Sequence, residues 1–260
     1  MHSSFFQLGS LHIPVYGVFA ALGLMAALAL SQKTARYVGL DADKVWDAGI
    51  TTAVATFVIS RLLLVVFNWR SFLQYPMLLL EVPSLTSIGV ALTGLFMLGY
   101  LRWRRMPLLQ FLDAVTPCSA VLWMFLSIGR FAEGTRDGMP THMPWGVLEG
   151  AMVRVHPVEI YTMIAAGSLC VGLLRLLQRK SFAGKRTGMG LVFAGIAVFF
   201  IDFFRLPSDL IAEAWLDPAQ VIAFVMITSG GVLLLRGQAK IQGAAVSIEA
   251  EARSESTHAV

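Results

Sequence analysis

Seven apolar runs, each close to the length that crosses a bilayer, constrain this chain more than any other feature: 13–31, 46–67, 84–101, 108–129, 158–176, 188–204 and 217–235. About 20 residues of helix cover the ~30 Å of hydrocarbon in a membrane. Inside lipid an isolated apolar run satisfies its own backbone hydrogen bonds only as a helix. Composition agrees, because charged residues are 14% of the 260, against about a quarter in soluble domains. The fold expected is an all-α membrane protein of about seven transmembrane helices.

Basic residues set the orientation. Lys33, Arg36, Lys44, Arg102, Arg104, Arg105, Arg175, Arg179, Lys180, Lys185, Arg186, Arg236 and Lys240 fall on one side if seven spans alternate. The other side holds Arg70, Arg130, Arg136, Arg154 and Arg205. Thirteen against five places the N-terminus outside and the C-terminus in the cytoplasm. The net charge of +4 then follows from topology and attraction to anionic headgroups, with no call for nucleic acid. Residues 1–12 lack a basic stretch, so the first run reads as a permanent span rather than a cleaved leader.

Residues 1–236 read as the transmembrane domain and 237–260, without periodicity, as a flexible cytoplasmic tail. The segment 68–83 is too short to span and reads as lying along the outer interface, where Trp145 and Trp215 also fall. Cys118 and Cys170 stand within spans, and no spacing calls for a metal or other cofactor.

Between Ser127 and Tyr161 the greasy chain turns polar, with Arg130, Glu133, Arg136, Asp137, His142, Glu149, Arg154 and His156 in one stretch. Residues 130–157 are expected to form a small extracytoplasmic head. Charges inside spans are costly and mark cavities or partners. Arg61 either snorkels to the outer headgroups or binds ligand. Asp113, near the basic face, reads as one half of a structural pair. Asp202 and Arg205 have the i, i+3 spacing of a helical ion pair. Arg130 closes a span where the polar stretch opens, and its planar fork suits a lipid phosphate.

Several stretches resemble the prolipoprotein diacylglyceryl transferases of bacterial inner membranes. His12-Ile-Pro14-Val-Tyr16-Gly17 is similar to that family's opening, and Arg61 matches an arginine of its second span. Asp113-Ala-Val-Thr-Pro117 resembles its Asp-x-x-Ala-Pro. Gly129-Arg-Phe131-Ala-Glu-Gly134-Thr-Arg-Asp-Gly138-Met-Pro140-Thr141, followed by Pro144-Trp145, resembles its glycine-spaced signature. Val155-His156-Pro157-Val-Glu-Ile-Tyr161 is similar to Arg-His-Pro-x-Gln-Leu-Tyr-Glu, and Asp202-Phe-Phe-Arg205-Leu-Pro207 to Glu-Phe-Phe-Arg-x-Pro-Asp.

The resemblance implies transfer of the diacylglyceryl group of phosphatidylglycerol to the lipobox cysteine of a prolipoprotein signal peptide, releasing glycerol phosphate. On this reading Arg130 and Arg61 supply positive charge to the membrane lipid, and Tyr161, Asp202 and Arg205 complete the substrate site. His156 is a candidate base, or alternatively a cap for the helix that follows. Glu133 is a second candidate base.

The chain departs from the family at several points. The family's span-three histidine falls in Leu85-Thr-Ser-Ile-Gly89-Val-Ala, and no histidine occurs between His12 and His142. Aligned without a gap, the signature arginine falls on Ser127 and Arg130 takes an asparagine position; a three-residue deletion would instead keep Gly129-Arg130 as the family pair. The span-six tyrosine and arginine read Ala194 and Val198. These departures predict weak or absent transfer, and leave a non-catalytic lipid- or lipoprotein-binding homologue as the alternative. A small-solute transporter is disfavoured because paired interrupted spans are not visible. The charge asymmetry predicts that cysteines at Thr141 and Gln238 label oppositely with an impermeant thiol reagent on intact cells. Equal or reversed labelling contradicts it.

Overall fold

The computed structural model describes residues 5–8, 11–67, 69, 86–135, 137–149, 153–179, 181–206 and 217–258. The chain opens with a hairpin of β1 (Phe5–Leu8) and β2 (Leu11–Pro14). Helices α1 (Val15–Val38), α2 (Ala42–Phe67), α3 (Ser87–Trp103) and α4 (Leu108–Glu133) follow. A second hairpin, β3 (Val147–Glu149) with β4 (Val153–Val155), precedes α5 (Val158–Leu177), α6 (Lys185–Asp202) and α7 (Pro218–His258). Each apolar run has become a helix. Most of 68–83, and Trp215, lie outside the described residues.

Among the described residues five helices are long and apolar enough to cross a membrane: α1, α2, α4, α5 and the stretch Pro218–Lys240 of α7. Ile88–Trp103 in α3 is apolar but shorter, and α6 carries Lys185, Arg186 and Asp202 at its ends. Large apolar side chains stand outward, among them Met25 (67% exposed), Val66 (70%), Leu95 (67%) and Leu235 (68%). A soluble monomer rarely leaves so much apolar surface in water, and lipid is the solvent that accepts it. This is an all-α, multi-pass membrane protein.

Helix α4 is the hub, packing against α1, α5 and α6; α2 lies on α1 and α3, and α7 lies on α6. Small residues make the close contacts, as expected where lipid removes the hydrophobic drive for helix association. A Cβ at Gly129 of α4 would meet the Phe19 Cβ of α1 at 2.9 Å, and one at Gly230 of α7 would meet the Gly188 carbonyl of α6 at 2.6 Å. Cys118 and Cys170 are buried free thiols that pack within helices. Ala35, Val45, Ala48, Leu101, Met106 and Phe111 form an apolar cluster where α1, α2, α3 and α4 meet at their Val38, Ala42, Trp103 and Leu108 ends.

That end of the bundle is locked by Asp113, which is completely buried. Its Oδ2 accepts from the Gly184 amide at 2.8 Å, and its Oδ1 accepts from the amide and hydroxyl of Thr187, both at 2.8 Å. Arg186 Nη1 lies 3.8 Å away. The expected structural partner of Asp113 is therefore the whole N-terminus of α6, whose backbone amides lack intrahelical partners. The segment read as a tail continues α7 as helix to His258. Its Ala, Gln, Glu, Lys and Arg content has high intrinsic helix propensity without an apolar stripe. Asp113→Ala removes three short hydrogen bonds and strands Arg186, so we expect a loss of ~3–5 kcal/mol, measured as a lower unfolding temperature in detergent. A parent-like midpoint contradicts this role.

Candidate lipid-phosphate site

Arg130 ends the last turn of α4, and the chain leaves the helix through Gly134, whose left-handed backbone (φ 91°) any side chain would strain. The polar stretch then folds back as backbone ladders. The Met139 amide donates to the Phe204 carbonyl at 2.8 Å, and the Leu206 amide donates to the Asp137 carbonyl at 2.8 Å. On its other side the Thr141 amide donates to the Arg154 carbonyl and the His156 amide to the Met139 carbonyl. Gly138 lies so close to the His156 backbone that a Cβ would clash with its carbonyl oxygen. Residues 137–141 are thus pinned between β4 and the exit of α6.

This arrangement brings four charges together. Arg130 Nη2 donates to Asp137 Oδ2 at 2.9 Å, and Arg130 Nε faces Glu159 Oε1 at 3.3 Å. Arg205 Nη2 reaches the same Glu159 oxygen at 3.5 Å. Glu159 stands in the first turn of α5 with its side chain 5% exposed. Both arginines, Glu159 and Asp202 line one cavity of about 270 Å³, with Tyr16 and Ser127 on its wall. Arg205 Nε is buried there without a hydrogen-bond partner among the described residues. Two guanidinium groups from separate elements share one counter-ion, and one retains a donor for an incoming acceptor. Such a pair suits a phosphate oxyanion, which accepts several charged hydrogen bonds at once.

The expected site residues divide. Arg130, Asp202 and Arg205 meet in the cavity. Asp202 and Arg205 form no ion pair among the described residues, contrary to the i, i+3 expectation. Helix α6 ends at Asp202, so helical spacing does not continue to Arg205, which turns to Glu159 instead. Tyr161 and His156 lie beside the cavity, not in its wall: His156 Nδ1 and the Tyr161 hydroxyl are 3.2 Å apart, and that hydroxyl accepts from Trp145 Nε1 at 2.8 Å. Phe204 stacks against both rings. Glu133 makes no hydrogen bond or ion pair among the described residues and stands off the wall. Arg61, buried at 7% exposure, lies over the Phe57 ring at 5.2 Å on α2, which contributes nothing to this cavity.

Glu159 was not singled out from sequence. Its signal was present all the same: a lone acid in the first turn of an otherwise apolar helix, at the position where the resembled motif has glutamine. Tyr16 stood only in the family-like opening run, and nothing in its spacing marked it as cavity-lining.

Comparison with known proteins is consistent along the chain. A family model described as prolipoprotein diacylglyceryl transferase matches residues 3–236. The phosphatidylglycerol–prolipoprotein diacylglyceryl transferase of Clostridium novyi is 26% identical over 247 residues, covering 90% of this chain and 95% of its own. The protein of the same name from Geobacter sulfurreducens is 28% identical over 241 residues, covering 87% and 91%. That from Staphylococcus haemolyticus is 24% identical over 254 residues, covering 91% and 88%. The chain belongs to the prolipoprotein diacylglyceryl transferase family.

Proposed function

We propose that this protein transfers the diacylglyceryl group of phosphatidylglycerol to the cysteine thiol of a prolipoprotein signal peptide, at the outer face of a bacterial inner membrane. One observation carries the reading: Arg130 and Arg205 converge on one cavity, with a buried Arg205 donor unspent among the described residues. The lipid phosphate takes the place of the Glu159 carboxylate between them. The thiol sulfur then bonds to the terminal glyceryl carbon as that carbon's bond to the phosphate oxygen breaks. Glycerol phosphate leaves, and the thiol proton passes to a base. We assign that base to Glu159, the acid freed from the arginines, in preference to His156 or Glu133, which stand outside the wall.

In this reading seven helices span, the N-terminus and the head at 130–157 lie outside, and the C-terminus lies in the cytoplasm. Ser127 and Val198, at positions where the resembled family has arginine, support the alternative of a lipid-binding homologue, and the experiment separates the two. Purified protein is given phosphatidylglycerol and a lipobox peptide, and the peptide mass is followed, alongside rescue of a bacterium depleted of its own transferase. Turnover is expected. Arg130→Ala should weaken lipid retention by about ten- to a hundredfold, the equivalent of a lost charged hydrogen bond. Arg130→Lys, without the planar fork, should fall between.

Glu159→Gln should lower turnover by about a hundredfold or more while lipid retention changes little, as for loss of a general base. His156→Ala and Glu133→Ala should keep most of the rate. Loss of turnover in either of those two instead moves the base there. Lipid retention without any turnover in the parent overturns the enzyme reading in favour of a binding protein.

A further inference from the structure

At the opposite end of the bundle a second cavity, of about 500 Å³, opens where α1, α4 and α5 meet the start of α6. Nothing in the transfer reaction uses it. Its wall is mostly polar and carries one carboxylate, Asp113, beside Gln110, Gln178, Arg179, Ser181 and Arg186.

Arg186 is the informative member. It is 5% exposed, so its charge is out of solvent. Its Nη2 donates to the carbonyls of Arg179 (3.2 Å) and Leu177 (3.5 Å), the last turn of α5 and the residues just beyond. Asp113 is its ion-pair partner but not its hydrogen-bond partner. Both oxygens of that carboxylate are taken by the α6 N-terminus, and Nη1 stands 3.8 Å off, too far for a hydrogen bond. Arg186 Nε is left buried with no partner among the described residues, and so is the Ser181 hydroxyl on the same cavity. Both donors belong to residues that line this one polar space. Arg179 stands exposed at the rim, and Gln110 lies in the first turn of α4, whose N-terminus has no side-chain cap.

We propose that this cavity binds a phosphate group, the headgroup of an anionic phospholipid or free phosphate, through Arg186, Ser181 and Arg179. A buried donor left dry is costly, and a buried guanidinium with an unspent Nε selects an anionic acceptor over a neutral one. The phosphate group offers acceptors to both donors at once, and Arg179 supplies a second positive charge. The end concerned carries most of the chain's basic residues, so local potential draws anions toward it. The site is independent of the Arg130 cavity and of the reaction assigned to it.

The test uses the full chain in detergent micelles carrying Arg130→Ala, so that lipid at the other cavity does not obscure the count. Native mass spectrometry should find one phosphatidylglycerol retained per protein, and no diacylglycerol. Arg179→Ala with Ser181→Ala, both away from the Asp113 lock, should lower retention by about tenfold or more, as loss of a charged hydrogen bond predicts. An unchanged unfolding temperature certifies the fold of that variant, and Gln178→Ala provides a milder one. Inorganic phosphate that binds alone, raising the unfolding temperature in the parent but not in the double variant, while lipid does not bind, identifies free phosphate as the source. Retention equal in all variants, or neither lipid nor phosphate bound, overturns the proposal and leaves a water-filled cavity.

Discussion

A single buried carboxylate sets the geometry of the functional end. Glu159 faces guanidinium groups at 3.3 Å and 3.5 Å, one from the last turn of α4 and one from beyond α6. Without that acid, Arg130 would keep Asp137 at 2.9 Å, but Arg205 would lose the carboxylate it shares with Arg130. With it, the end of α4, the start of α5 and the exit of α6 are tied to one point. The ladders that carry 137–141 past Phe204 and His156 run beside the same point. Glu159 is the buried member, 5% exposed, so removing both arginines would leave its charge uncompensated, which is costly.

Helix α4 connects this point to the other end of the bundle. Asp113 and Arg130 are 17 residues apart (130 − 113), or roughly 26 Å of helix, close to the ~30 Å thickness of bilayer hydrocarbon. The helix therefore carries its two decisive charges at its two membrane boundaries, and apolar or small residues between them. Each charge is met by a residue of another helix: Asp113 by the α6 N-terminus, Arg130 by Glu159 at the α5 N-terminus. Polarity sits at the ends and packing in the middle.

Much of this was legible from residues alone. The seven apolar runs mark the seven helices among the described residues, although α1 and α2 extend beyond their runs at one end because Lys33, Arg36 and Lys44 continue the helices past the apolar stretch. Asp113 was readable as structural because it is a charge in a span near the basic face. The partner of Arg205 was not readable: i, i+3 spacing pointed to Asp202, and only the end of α6 at that residue redirects it to an acid 46 positions away. His156 was readable equally as a base or as a cap, and its contacts with Tyr161 and Phe204 need the tertiary fold. The helical continuation of α7 past Gly237 escaped a search for periodicity, because propensity without an apolar stripe leaves no periodic trace.

The central claim is that Arg130 and Arg205 act as one phosphate-binding unit through Glu159. A double-mutant cycle tests it directly, with retention of phosphatidylglycerol measured for Arg130→Ala, Arg205→Ala and the pair combined. If the two share one ligand and one counter-ion, the combined variant should bind scarcely worse than the weaker single variant, a coupling well above the ~0.5 kcal/mol scatter of independent sites. Losses that simply add would mean that the arginines act apart, and that Glu159 pairs with them without joining them.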